Sequence, residues 1–250
     1  YRFFEKFSAN LIIPKSEGAD SSFLNITASN QCHIEIGLKD AILATNVLNS
    51  LSGLQIALHA NSPIWQGKID PTHKANREMA WDVCFPDRRN QIGIPPKFET
   101  MEMYIDYLLD FKPLLVKRNE QFFQILNKKT FKEFLLNQSP TIASSLDGVE
   151  VTIEPSPNDI QQLIPFSWFN ARLVPKYGTV ESRMCCQQPP NETLTPTALT
   201  LGLIENLEAA QDLVKIYPLA IWRKIRKQTA QHALDTFIEG ASIVPLLLRF

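Results

Sequence analysis

The chain has 250 residues, of which 44% are hydrophobic, and it carries 25 basic and 26 acidic side chains. This length and composition predict a globular protein with one large hydrophobic core. The formal net charge of -1 excludes capture of nucleic acid or of an anionic membrane by bulk electrostatic attraction. We therefore expect local recognition of whatever the protein binds, with neither nucleic acid nor membrane as a partner.

The sequence contains neither a signal-peptide pattern nor an apolar stretch of membrane-spanning length. Its cysteines form no CxxC pair, so we interpret them as free thiols of a reducing compartment, and we expect the cytoplasm: Cys32, Cys84, Cys185 and Cys186. The first residues, YRFFEKF, are helical in character but lack a cap and an initiator methionine. We therefore predict that residues 1–250 are a single domain and a fragment of a longer chain.

In the first half of the chain, residues 1–14 are predicted to be helical and residues 15–29 to form a loop. The next segment, NQCHIEIGLK, alternates between apolar and polar residues, which predicts a half-buried strand carrying His33 and Glu35 on its polar face. Helical spacing, turn residues and candidate caps then predict a helix at 40–60 capped by Asp40, a long ordered loop at 62–96, a helix at 100–112 capped by Thr100, and a short helix at 130–136.

In the second half, residues 149–154 and the alternating segment FSWFNARLV are predicted to be strands. A turn at Pro175 and Gly178 leads into TVESRM, which places Glu181 and Arg183 on the face opposite Val180. Helices are predicted at 195–215 and at about 218–238. The layout predicts an α+β fold, in which helices pack on one face of a mainly antiparallel sheet.

Each of three predicted strands carries two polar or charged side chains on one face: His33 and Glu35, Asn170 and Arg172, Glu181 and Arg183. If the three strands share one open face of a sheet, these side chains would form a concave polar site. The alternative is a solvated sheet face with weak cross-strand ion pairs. On that alternative, His33 is a structural imidazole, Arg77 is a surface side chain, and the basic run at 223–227 is a solvated helix face. The sequence has no phosphate loop, nucleophile elbow or zinc-protease motif.

Four segments together resemble the carboxylate-amine ligase family related to glutamate-cysteine ligase. They occur in the family's order, and YGTVESR is the most specific part: CHIEIG at 32–37, NSPIWQG at 61–67 with Arg77 downstream, ARLVPKYGTVESRMCCQQ at 171–188, and RKIRKQTAQHAL at 223–234. The resemblance covers most of the chain and is poor between about residues 113 and 160. It implies a glutamine synthetase-like funnel, built by an antiparallel sheet, in which ATP, a divalent metal and glutamate meet.

The resemblance implies an enzyme that joins the γ-carboxylate of glutamate to the amine of cysteine or another amino compound, a step of glutathione biosynthesis when the acceptor is cysteine. ATP would first convert the carboxylate into an acyl phosphate, whose charge must be offset by Mg²⁺ or Mn²⁺ and by arginines. The roles implied are metal binding by His33 and Glu181, catalysis by Arg183 and Arg77, and substrate binding by Arg172, Asn170 and Glu35. Oxygen ligands and one imidazole suit these cations better than zinc.

The sequence also departs from the family pattern. Glu35 replaces a second histidine, Asn170 replaces an aspartate, and Cys186 replaces a further aspartate. The family's first strand, with its own glutamate metal ligands, is expected to precede residue 1, which would leave the fold incomplete at its N-terminus. A degenerate family member that binds nucleotide or amino acid without turnover therefore remains the alternative. The acceptor amine and the oligomeric state, including a homo-oligomer, are left open.

Overall fold

The computed structural model describes residues 28–65, 67–83, 86–127 and 129–250. The predicted helix at 1–14, nearly all of the predicted loop at 15–29, and Cys84 lie outside the described residues. The described residues group into two compact units. The larger unit comprises residues 28–83, 92–98 and 169–250, and the smaller unit comprises residues 86–91 and 99–168. The prediction of a single domain stays a prediction.

The helices are, in chain order, α1 (Ala41–Ser50), α2 (Ser52–His59), α3 (Asn76–Val83), α4 (Met101–Leu109), α5 (Phe131–Leu136), α6 (Ile160–Leu163), α7 (Thr195–Glu205), α8 (Leu207–Val214), α9 (Leu219–His232) and α10 (Val244–Leu247). The strands are β1 (Cys32–Glu35), β2 (Ile64–Trp65), β3 (Lys68–Ile69), β4 (Ile92–Gly93), β5 (Leu115–Arg118), β6 (Gln121–Ile125), β7 (Thr141–Ser145), β8 (Glu150–Ile153), β9 (Trp168–Phe169), β10 (Ala171–Val174), β11 (Thr179–Ser182), β12 (Phe237–Ile238) and β13 (Ala241–Ser242). Antiparallel sheets together with these helices confirm the predicted α+β class.

The central sheet of the larger unit has the strand order β1-β11-β10, and both pairings are antiparallel. The turn at Pro175–Tyr177 ends at Gly178 with φ +62°, a left-handed conformation that glycine adopts without strain, and it joins β10 to β11 as the predicted hairpin. Helix α1 covers the apolar face of this sheet. Its buried Asn49 exchanges two hydrogen bonds of 2.8 and 2.9 Å with the backbone of Ala171, which anchors the helix to β10.

The predicted helix at 40–60 is in fact two helices, α1 and α2, bent by 52° at Leu51. Asp40 stands at the start of α1, but its side chain makes no capping hydrogen bond. Serine and glycine flank the break, a composition that permits a sharp kink. Within the described residues, no single helix is long and apolar enough to cross a membrane. The bent pair passes that test by length and composition only, and most of its residues are buried within the larger unit.

Two further helices are shorter than predicted. The expected helix at 195–215 is broken at Asn206, whose side chain and backbone N–H both donate to the carbonyl of Gly202. Thr195 lies inside α7 and does not cap it, because the N-cap position is Leu194. Helix α9 ends at His232, since Ala233 has φ +48° and leaves the helical conformation there.

The smaller unit is built on a four-stranded antiparallel sheet in the order β5-β6-β7-β8. Only β8 corresponds to a strand predicted from the sequence. One face packs on α5 to form a core of Val116, Ile125, Phe134, Ala143 and Ile153. The predicted Thr100 cap of α4 is confirmed, because its side-chain oxygen accepts from a backbone N–H of the first turn. Thr130 caps α5 in the same way, although the sequence predicted only the helix and not its cap.

Candidate active site

The site lies in the larger unit, on the face of the β1-β11-β10 sheet opposite α1. The strand register places His33 and Arg172 directly beside Glu181, one from each neighbouring strand. Glu181 is only 4% exposed, so the alternative of a solvated strand face is wrong for this residue. A buried carboxylate needs compensating partners, and the flanking strands supply them.

The two carboxylate oxygens of Glu181 have different surroundings. Oε2 accepts a hydrogen bond of 2.6 Å from Arg172 Nε. Oε1 lies 3.6 Å from Arg183 Nε and 3.9 Å from His33 Nε2, both longer than a hydrogen bond. Oε1 and His33 Nε2 therefore face each other across a gap of 3.9 Å.

A second set of charges lies on α3 and α9. The predicted long loop at 62–96 contains α3, which carries Arg77, Glu78 and Asp82. Glu78 is 1% exposed; its Oε1 accepts from Arg77 at 2.6 Å, and its Oε2 accepts from Asn170 at 2.8 Å and from Arg226 at 3.0 Å. Glu78 thus connects α3 to α9, through Arg226, and to the central sheet, through Asn170.

Arg226 corrects the prediction that the basic run at 223–227 is a solvated helix face. It is 6% exposed, it donates to Asn170 at 2.6 Å, and it forms two hydrogen bonds of 2.8 and 3.0 Å with the carboxylate of Asp82. Burial opposes its charged form, but attraction to Asp82 and Glu78 outweighs that effect and raises the pKa of Arg226. Arg226 is a fixed buried cation.

Two glycines make room for Arg226. Gly53 in α2 lies so close to α9 that a Cβ atom there would be 2.7 Å from the Arg226 backbone nitrogen. Gly93 has φ +73°, and its missing side chain leaves space for the guanidinium of Arg226. A Cβ atom on Gly93 would lie only 3.2 Å from that guanidinium. The Gly93 carbonyl also accepts from the Asn170 N–H at 2.9 Å. Arg226 and Asn170 are thereby held in one place.

The two sets of charges are contiguous through Arg183. Its backbone N–H donates to the Asn170 carbonyl at 2.9 Å. Burial, followed by repulsion from Arg172 and Arg77, lowers the pKa of Arg183 to about 10, against attraction from Glu181 and Glu78. We call the combined group the arginine cluster: Arg77, Glu78, Asp82, Asn170, Arg172, Glu181, Arg183 and Arg226.

The arginine cluster contains four guanidinium groups and three carboxylates, which leaves an excess of one positive charge. Mutual repulsion among buried arginines is relieved when an anion joins them, because each positive charge then gains an opposite partner. The arrangement is therefore suited to holding a carboxylate or a phosphate.

Of the residues predicted for the site, His33, Arg172, Glu181 and Arg183 come together around one carboxylate. Asn170 and Arg77 join the same cluster through Glu78. Glu35 does not reach Glu181 in the strand register: it lies at the exposed end of β1, opposite Thr179.

Sequence reasoning missed three members of the cluster: Glu78, Asp82 and Arg226. A signal was present for each. Glu78 and Asp82 are four residues apart, which places both carboxylates on one face of a helix. Arg226 lies four residues after the buried Trp222 and four before the buried Ala230, so it occupies the apolar stripe of α9.

The gap between His33 and Glu181 offers a divalent cation two candidate ligand atoms, His33 Nε2 and Glu181 Oε1, which lie 3.9 Å apart. Two ligand atoms about 2.1 Å from one cation are separated by roughly 3.0 Å when adjacent in an octahedron and roughly 4.2 Å when opposite, so 3.9 Å matches neither spacing, and both oxygens of Glu181 already lie next to arginines. Imidazole nitrogen and carboxylate oxygen are both ligands of Mn²⁺, and the oxygen suits Mg²⁺. Among the described residues, no group of three or more His, Cys, Asp or Glu side chains is arranged to hold a metal ion.

Comparison with known proteins gives the family. No curated protein sequence matches the chain at a significant level. The family model described as glutamate-cysteine ligase family 2 (GCS2) matches residues 12–240 and so covers every element that builds the arginine cluster. The chain belongs to glutamate-cysteine ligase family 2, a family of ATP-dependent ligases.

Proposed function

We propose that this protein is an ATP-dependent ligase that joins the γ-carboxylate of glutamate to the amine of cysteine or another amino compound. The observation that carries the proposal is the excess positive charge of the arginine cluster beside the gap between His33 and Glu181. A carboxylate is a poor electrophile because oxide is a poor leaving group. Phosphorylation by ATP gives an acyl phosphate, from which the attacking amine displaces phosphate.

The phosphoryl transfer brings together a carboxylate and a polyphosphate, and the cluster offsets their negative charge. Arg183 and Arg77 are assigned to the transferring phosphoryl group, because preorganised cations stabilise charge that develops in the transition state. Arg172 is assigned to the substrate carboxylate. A bound Mg²⁺ or Mn²⁺ would neutralise phosphate charge and orient the phosphates, with His33 Nε2 and Glu181 Oε1 as its ligands from this chain.

Asn170 is assigned a positioning role within the cluster, in addition to the substrate-binding role that the resemblance implies. Its amide donates to Glu78 and accepts from Arg226, so both of its polar ends are occupied within the cluster. It thereby holds Glu78, which in turn orients the guanidinium of Arg77. Glu35, at the exposed end of β1, stays a proposed substrate-binding residue.

The test is ADP release by the full-length protein in the presence of Mg²⁺, ATP, glutamate and cysteine. Glu181→Gln keeps the shape of the side chain and removes its charge, and it is expected to lower ADP release by roughly 100-fold. Glu208→Gln, an exposed position on α8, is the matched control and is expected to retain wild-type release. Equal rates for the two variants would refute the assignment of Glu181.

A second candidate is a family member that binds nucleotide or amino acid without turnover. It is favoured by the short contact between Glu181 and Arg172, which already neutralises one carboxylate oxygen, and by the lack of a three-ligand metal group among the described residues. In that case, MgATP raises the melting temperature, because binding to the folded state alone stabilises it, while ADP release stays at background. A flat thermal shift would contradict both candidates.

A further inference from the structure

We propose that Ser62 is a positioning residue, whose hydroxyl and carbonyl hold the first turn of α3, and with it Arg77, against the segment that follows β11. This inference rests on the proposed function, which assigns Arg77 to the transferring phosphoryl group. Ser62 lies just before β2 and 15 residues before Arg77. It carries no charge, and the proposal does not require it to touch the substrate.

Ser62 takes the place of a helix cap, although it is distant from the helix in the sequence. The first N–H groups of a helix have no partner within the helix, and a side-chain oxygen of the preceding residue usually accepts from one of them. The residue before α3 is Ala75, which has no such oxygen. Instead, the Ser62 carbonyl accepts from the Asn76 N–H at 3.1 Å, and Ser62 Oγ accepts from the Arg77 N–H at 3.4 Å. The two residues that begin α3 are therefore both bound to Ser62.

Ser62 is itself held by the rest of the larger unit. Its N–H donates to the Lys74 carbonyl at 3.0 Å, and it forms an isolated parallel bridge with Ala75. Its Oγ lies 3.2 Å from Cys186 Sγ. The Arg77 N–H can only donate, so the hydroxyl accepts there and its own hydrogen is available to the sulfur. Ser62 therefore connects the backbone of Arg77 to the buried side chain of Cys186.

Cys186 relates this connection to the strand that carries the site. It follows β11, is 1% exposed, and lies in one buried cluster with Ala75 and Met184. Packing of this cluster places the start of α3 beside the segment after β11. The hydrogen bonds to Ser62 add a constraint on direction, because they weaken steeply when donor and acceptor are misaligned. The first turn of α3 is thereby fixed relative to the strand that carries Glu181.

The position of the α3 backbone matters because the Arg77 side chain is buried. Arg77 is 7% exposed, and its guanidinium donates to Glu78 Oε1 at 2.6 Å. A buried side chain moves with its backbone, since close packing leaves little room for another rotamer. Groups that stabilise a transition state must be preorganised, and a misplacement of about 1 Å costs up to roughly 100-fold in rate. Loss of the Ser62 hydroxyl should therefore lower kcat and leave the KM for glutamate nearly unchanged.

The experiment measures ADP release by serine variants of the full-length protein in the presence of MgATP, glutamate and cysteine. Ser62→Ala is expected to lower kcat about 10- to 100-fold. Ser62→Thr keeps the hydroxyl and should restore most of the rate. Ser242→Ala is the matched control, because Ser242 Oγ accepts from the Val244 N–H at 3.2 Å outside the arginine cluster, and it should retain the wild-type kcat.

A double-mutant cycle with Arg77 distinguishes positioning from a general loss of stability. Arg77→Gln removes the charge but keeps a hydrogen-bond donor for Glu78. A residue that acts only through the guanidinium has no further effect in that background. Adding Ser62→Ala to Arg77→Gln is therefore expected to leave the residual kcat unchanged, whereas a purely structural role would lower it again. If Arg77→Gln does not fold, the kcat and KM of Ser62→Ala, with Ser62→Thr as its rescue, decide between the two roles.

A binding measurement keeps the test independent of turnover. Pyrophosphate, added without metal, is the probe for the excess positive charge of the arginine cluster, and isothermal titration calorimetry gives its affinity. Ser62→Ala is expected to weaken pyrophosphate binding about 10-fold, because one charge-assisted contact is misplaced. Ser62→Thr and Ser242→Ala should bind it as the wild-type protein does.

The outcomes separate this inference from the proposed function. If the wild-type protein binds pyrophosphate but releases no ADP with glutamate, the ligase proposal fails, and the role of Ser62 stands or falls with the pyrophosphate affinity of Ser62→Ala. If ADP release requires glutamate while Ser62→Ala matches the wild type in kcat and in pyrophosphate affinity, only the role of Ser62 is overturned. A wild-type protein that neither binds pyrophosphate nor releases ADP would overturn both.

Discussion

Replacement of Gly53 by alanine tests the packing that holds Arg226 in place. A Cβ atom on Gly53 would lie 2.7 Å from the backbone nitrogen of Arg226, 2.8 Å from Cγ2 of Ile225 and 2.9 Å from Cα of Arg226. Favourable carbon contacts are about 3.5–4.0 Å, so α2 and α9 must separate by about 1 Å. Two of the three atoms belong to the backbone and cannot rotate away.

Overpacking of this kind costs about 1–3 kcal/mol. Alanine is preferred over glycine in a helix by at most about 1 kcal/mol, which offsets part of the cost. The expected result for Gly53→Ala is a net loss of about 1–2 kcal/mol in the free energy of unfolding. The same displacement moves Arg226 away from Asn170 and Glu78, so ligase activity should fall as well.

Gly202→Ala is the matched control, because Gly202 also lies in a helix and a Cβ atom there would meet nothing within 4 Å. It should gain about 0.5–1 kcal/mol from helix preference alone. Urea unfolding followed by circular dichroism gives both values. The reasoning is refuted if Gly53→Ala is as stable as Gly202→Ala.

Three further predictions follow from buried groups. Arg226→Met removes the buried cation that pairs with both Glu78 and Asp82, and it should lower the free energy of unfolding by about 3–5 kcal/mol. Lys227→Met, on the exposed side of the same helix, should change it by less than about 0.5 kcal/mol; similar urea midpoints would contradict the role of Arg226. Burial lowers the pKa of His59, so the unfolded chain binds more protons, and the free energy of unfolding should fall as the pH drops below about 6.5. This part of the pH dependence should disappear in His59→Asn; an unchanged pH profile of the urea midpoint would count against the assignment. Burial raises the pKa of the Cys185 thiol, so its alkylation, followed by mass spectrometry, should be slow in the native protein and fast after unfolding; equal rates would show that the thiol is accessible.

Much of the larger unit follows from local patterns in the sequence. Strict alternation located β1, β10 and β11, because the side chains of a strand point alternately to its two faces. Gly178 with the preceding proline predicted the hairpin that joins β10 to β11. The pairing of β1 with β11 was the long-range step: the polar faces of three strands predicted a shared face but not which strands are neighbours.

The helices show where local patterns fail. The helical spacing of apolar residues continues across the break at Leu51, and the close approach of α2 to α9 at Gly53 is a tertiary contact that periodicity does not contain. Helix α3 was predicted as a loop because its side chains are mostly polar, and their burial depends on partners from α9 and the sheet. Strands β5, β6 and β7 lie where the family resemblance is poor.

The same limit applies to the site. His33, Arg172 and Glu181 could be predicted to meet, since one sheet face carries all three. The position of Arg226 could not be predicted, because a basic helix face is usually solvated and only the partners of Arg226 explain its burial. The contacts of Asn170 with Glu78 and Arg226 could not be predicted either, and the substrate contact expected of Asn170 stays a prediction.

The most direct test of the ligase proposal is a titration of glutamate against ADP release by the full-length protein at saturating MgATP and cysteine. The account predicts release that requires both glutamate and Mg²⁺, that is retained in Glu208→Gln, and that is lost in Glu181→Gln. ADP release that ignores glutamate, or that persists in Glu181→Gln at the wild-type rate, would contradict it.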